Sequence, residues 1–133
     1  MAHEPVPPLS ARLRTLRDGY LSDLPAKVEA LYAAWQAALK GDNQSADRLR
    51  ALIHGLSGSG AVFGYREISR RAAAIERELE ALLDAKKVSG PDLLSLAPAI
   101  EALGETCRYY ASARRTAEAT SATPSDSRRP SSA

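Results

Sequence analysis

Little in this chain could hold it together other than aliphatic packing. Its 133 residues include one cysteine, one tryptophan, one phenylalanine and one methionine. Cys107 alone cannot close an internal disulfide, and the shortage of aromatics leaves leucine, isoleucine, valine and alanine to build the core. No apolar run approaches the roughly 18 residues of a membrane span, and the N-terminal MAHEPVPPLSARLR lacks the apolar stretch of a secretory signal. A cytoplasmic protein with no membrane partner is therefore expected. The formal net charge is only +2, and the dense basic face with interleaved aromatics that nucleic acid demands is missing, so no nucleic-acid partner is expected. One histidine in the body of the chain and one cysteine share no ligand spacing, so no metal site is expected on the protein. There is no glycine-rich nucleotide loop. Sustained alternation of β-branched residues is lacking too, which leaves no candidate strand.

The composition, 44% hydrophobic and 26% charged, is that of one globular domain. Residues 1–8 are Pro-rich and residues 117–133 are rich in Ser, Thr, Pro and Ala without periodicity, so loose, disordered ends are expected around a domain over 9–116. Inside it every long segment repeats near 3.6 residues. Leu9, Leu13, Leu16 and Tyr20 form one stripe, and Val28, Leu31, Tyr32, Trp35 and Leu39 a second. Pro25 between them suits a helix's first turn, which predicts a break or sharp kink near Asp23 and Leu24. Gly41 and Asp42 end that helix and begin the next, predicted over about 43–62 and closed by Gly64. Ile68, Ala72, Ile75, Leu79 and Leu82 stripe a third, over about 65–86. After the SGPD turn, Leu93, Leu96, Ile100, Leu103, Cys107 and Tyr110 mark a last helix over about 91–115. The predicted fold is all-α, an antiparallel four-helix bundle preceded by a short N-terminal helix.

The second bundle helix contains LRALIHGLSGSGAVFGY at 49–65, where Gly55, Gly58, Gly60 and Gly64 fall among apolar residues at helical spacing. Each helix-interior glycine costs about 0.5–1 kcal/mol relative to alanine. Close helix packing accounts for Gly60 and extends to Gly55, and Gly64 reads as a terminator. With Ile53 and Leu56 facing the core, His54 lies at the edge of the apolar stripe or outside it, in solvent. Its helical neighbours are Arg50, Ala51, Ser57 and Gly58, all small except the arginine. An exposed imidazole is substantially neutral at pH 7 and therefore nucleophilic, and small neighbours leave room for another protein to approach it.

His54-Gly55-Leu56-Ser57-Gly58-Ser59, with Gly64 closing the segment, resembles the H-x-L-K-G-S-x-x-x-x-G signature of histidine-containing phosphotransfer (HPt) domains. HPt domains are four-helix bundles with the histidine on the second bundle helix, and the resemblance extends over about residues 10–115. It implies that His54 is the phosphorylated residue, that Gly58 is the small residue beneath the phosphoryl site, and that Leu56, Ser59 and Gly64 are structural members of the motif. Ser57 departs from it, since the family usually has lysine there. An exposed charge contact is worth about 0–1 kcal/mol, so serine should tune the site without abolishing it, and Arg50 on the opposite turn could partly substitute.

The function so implied is that of a phosphocarrier, not an enzyme, which relays a phosphoryl group through His54 between receiver-domain aspartates of a two-component phosphorelay. Its expected partners are a response-regulator receiver domain and a hybrid histidine kinase. No cofactor is expected on the chain, with Mg²⁺ supplied by the receiver. A monomer is expected, and Met1 favours a free-standing chain. The alternative is a docking module that regulates a receiver or kinase without transfer, and a third class is a structural bundle indifferent to His54. Other residues have plainer readings. Cys107 is an inert core residue, His3 is incidental, and Arg66, Arg70 and Arg71 read as a solvated face interleaved with Glu67, Glu76, Glu78 and Glu80, with a basic rim as the alternative.

Overall fold

The computed structural model describes residues 8–86 and 90–122, with 117–122 as helical backbone. The elements are all helical: α1 (Leu9–Leu39), α2 (Asn43–Phe63), α3 (Arg66–Asp84), the short α4 (Gly90–Leu94) and α5 (Ala97–Ala122). The four long helices pack in a ring, α1 against α2 and α5, and α3 against α2 and α5. At their centre Leu24, Leu31, Leu49, Ile53, Ile68, Ile75, Leu79, Ile100 and Leu103 are fully buried. Among the described residues no charged side chain is buried, and the core is mainly aliphatic as the composition requires, with Tyr20, Trp35 and Cys107 buried beside the leucines and isoleucines. One end of the bundle is closed by aromatic rings, with Tyr20 stacked on Phe63 at 5.0 Å and on Tyr65 at 5.8 Å, and Tyr65 against Tyr110 at 5.0 Å.

Two prolines separate prediction from outcome. Pro25 neither breaks the chain nor sets off a short N-terminal helix, because α1 runs unbroken for 31 residues with Pro25 inside it. An interior proline costs about 3 kcal/mol. Leu24 and Val28, both buried beside it, return about 1.5–3 kcal/mol each, and a continuous helix delivers both to the core. Pro98 acts the other way. A helix straight through 91–115 would set its ring against the carbonyl of Leu94. The chain instead ends α4 at Leu94 and restarts at Ala97 with Pro98 in the first turn of α5, while Leu93 and Leu96 on either side of the corner are buried. The helix α5 also continues to Ala122, past residue 116 where a loose tail was expected. His3 and residues 123–133 lie outside the described residues.

The boundaries of α2 follow local chemistry. The Asp42 carboxylate accepts hydrogen bonds from the amides of Gln44 at 3.0 Å and Ser45 at 3.3 Å, satisfying donors that a helix start leaves unpaired. At the other end Gly64 adopts φ +84°, a left-handed conformation that glycine takes without steric cost. The Tyr65 amide then bonds back to the Gly60 carbonyl at 2.7 Å and turns the chain into α3.

Candidate functional site around His54

His54 stands on the outer side of α2 with its side chain 75% exposed, while Ile53 and Leu56 next to it on the helix are buried. The imidazole is nonetheless held. Its Nδ1 lies 2.6 Å from Oε2 of Glu76, which α3 brings alongside and which is itself only 18% exposed. A carboxylate oxygen accepts here, so Nδ1 carries the proton and, in the neutral ring, Nε2 carries the lone pair. The free nitrogen is therefore Nε2, and Nδ1 is occupied.

Glu76 is the site residue that the sequence reading missed, having been placed on a solvated face. Its counterpart one turn along is Glu80, 3.8 Å from Arg50. The signal that finds both is the register of a helical hairpin turning at Tyr65: His54 precedes that corner by eleven residues and Glu76 follows it by eleven, and Arg50 and Glu80 are each fifteen away. Arg50, Ala51, His54, Glu76 and Glu80 line an open groove of about 310 Å³. Arg50 does share this groove with His54, but its guanidinium is engaged by Glu80. The expectation that only small residues and Arg50 surround His54 holds for α2 alone.

The motif glycines divide by what surrounds them. Gly55 and Gly58 are exposed, and a Cβ added at either would meet nothing within 4 Å. Close packing therefore does not explain Gly55. It does explain Gly60, where a Cβ would lie 2.9 Å from the Ser69 backbone nitrogen and 3.1 Å from the Tyr65 carbonyl oxygen. Ser57 is half-buried, with its carbonyl accepting the Ser69 hydroxyl at 2.8 Å, and the Ser59 hydroxyl donates to the Gly55 carbonyl at 2.8 Å. On the opposite flank of His54 a smaller groove of about 170 Å³ is lined by Lys27, Ala51, Leu52, Gly55 and Leu56.

Elsewhere Arg70 and Arg71 both pair with Glu67, at 2.9 and 3.2 Å, as a solvated face would. Cys107 is fully buried, and burial pushes its thiol up to about 11, partly offset by Lys27. Among the described residues no group of three or more His, Cys, Asp or Glu side chains could hold a metal ion, and no helix is long and apolar enough to cross a membrane.

An exposed histidine in a glycine-flanked helical segment, on an all-helical bundle, is the arrangement expected of a phosphotransfer module. The Hpt domain family model matches residues 15–107, and the chain belongs to that family. Hpt domains serve histidine phosphotransfer in phosphorelays as carrier modules without a nucleotide site of their own. No curated protein and no solved structure matches the chain.

Proposed function

We propose that this protein is a phosphocarrier on an antiparallel four-helix bundle, relaying a phosphoryl group between receiver-domain aspartates through His54. The observation that carries this reading is the His54–Glu76 contact, which occupies Nδ1 and leaves Nε2 free in solvent on a rigid helix. In the forward step the Nε2 lone pair attacks the phosphorus of a receiver's aspartyl phosphate. The N–P bond forms as the P–O bond to the aspartate breaks, and the carboxylate leaves with that electron pair. The Nδ1 proton stays in its hydrogen bond, so the positive charge developing on the ring faces the Glu76 carboxylate. The return step to a second receiver reverses these changes. Phosphoryl transfer depends mainly on positioning and charge neutralisation, and Mg²⁺ for that purpose belongs to the receiver.

The surroundings suit this role. Gly55 and Gly58 lack an intramolecular reason to be glycine, and their absent side chains leave room for a partner beside the imidazole. A docking module without transfer has no use for an oriented nucleophile, so the Glu76 contact favours transfer. The experiment is incubation with a phosphorylated receiver, followed by assay for acid-labile, alkali-stable phosphate. Wild type acquires it and His54→Gln does not. Labelling of His54→Gln to the wild-type level would assign the phosphoryl site elsewhere.

A further inference from the structure

The first three turns of α1 extend past the bundle that Tyr20 closes. Leu9, Leu13 and Leu16 there remain 64%, 48% and 58% exposed, half of the large hydrophobic side chains exposed among the described residues. With Tyr20 they repeat at four, three and four residues, the a/d spacing of a heptad seam. Counting Leu9 and Leu16 as d and Leu13 as a puts Arg12 at g and Arg17 at e, one on each edge of the seam. Among the described residues neither these two nor Arg14 is paired with a carboxylate. The one acid of this stretch, Asp18, falls on the far side of the helix from the leucines. Among the described residues the positive end of the α1 dipole is likewise uncompensated, since Pro8 provides no side-chain cap and the first turn has no acidic residue.

We propose that this seam docks an amphipathic helix of a partner protein, apolar at its a and d positions and acidic at e and g. The edge charges exclude the other occupants. A second copy in parallel would set Arg12 against the other Arg17, and an antiparallel copy would set each arginine against its own equivalent. A lipid surface takes a broad apolar face, whereas three leucines at a and d make the narrow seam that suits another helix.

The test uses the full chain and a synthetic peptide of about four heptads, leucine at a and d and glutamate at e and g, which its own charge keeps from self-pairing. The expected result is 1:1 binding, weakened by salt and at least about tenfold tighter than for the same peptide with lysine at e and g. The double variant Leu13→Gln/Leu16→Gln should lose at least about tenfold in affinity with its helical circular dichroism unchanged, because both side chains are exposed. Arg12→Glu/Arg17→Glu should reverse the preference toward the lysine peptide. His54→Gln should bind as wild type does, which keeps this docking separate from phosphotransfer. Equal binding of both peptides, full binding by the leucine variant, dimerisation of the chain alone in sedimentation, or binding to anionic vesicles but not to the peptide would each overturn the proposal.

Discussion

The 2.6 Å contact between His54 and Glu76 gives the imidazole an orientation that α2 alone does not supply. Removing the charge while keeping a hydrogen-bond acceptor, Glu76→Gln, should slow phosphoryl acceptance from a phosphorylated receiver by roughly tenfold. Stability should stay within about 0.5 kcal/mol, because the histidine end of the pair lies in solvent. Rapid-mixing transfer kinetics together with ¹⁵N shifts of the two ring nitrogens check this; an unchanged rate and tautomer would make Glu76 a bystander. Ser57→Lys belongs to the same surface. Position 57 is one turn from His54, so a lysine ammonium there can reach a phosphoryl group on the ring, but Glu76 competes for it. The phosphotransfer equilibrium should shift toward the phosphorylated carrier by at most about 1 kcal/mol, more in a Glu76→Gln background and less at high salt. The ratio of phosphorylated carrier to phosphorylated receiver at two ionic strengths measures it, and no shift at low salt would place residue 57 away from the phosphoryl group.

Helix α2 combines one glycine that packs with others that do not, and the two kinds predict opposite behaviour. Gly60→Ala forces a methyl against the backbone of Ser69 at the α2–α3 crossing, so it should lower stability by about 1–3 kcal/mol in urea unfolding. Gly58→Leu meets open space and replaces a poor helix former, so stability should hold or rise by up to about 1 kcal/mol. Transfer should nevertheless fall, because the leucine stands one turn from His54 where a receiver must approach. A Gly58→Leu protein that melts early, or transfers at the wild-type rate, would contradict this reading. The prolines carry the same lesson about elements. The ring at Pro25 is absorbed by α1 and the ring at Pro98 starts a new helix, and local sequence does not distinguish them. What does is where the neighbouring leucines can reach the core.

Across the whole molecule the aliphatic core sets an alkaline limit to stability. Cys107 is protonated in folded and unfolded chains below pH 9.0 and ionises at about 11 when folded, against 9.0 when free. Between those values the unfolded chain loses the proton first, so stability is full below about pH 9 and falls as pH rises toward 11, by about 2–3 kcal/mol in total. Burial also raises the phenols of Tyr20 and Tyr65 above 10.0, which adds a decline of the same sign at higher pH. Urea unfolding from neutral pH to about pH 10 should therefore show a downward slope that Cys107→Ala flattens; equal slopes would place the thiol in contact with water. Helix content, the α2 and α3 boundaries, the core stripes from Val28 onward and the exposure of His54 were legible in the chain, because they depend on apolar periodicity and on caps such as Asp42 and Gly64, which act within a few residues, whereas the Leu9, Leu13 and Leu16 stripe has the same periodicity and stays exposed. Glu76, the engagement of Arg50 by Glu80, and the opposite fates of Pro25 and Pro98 were decided only when helices packed. Each depends on groups more than a turn apart in sequence meeting in space, so hairpin register and core burial outweigh local preference there.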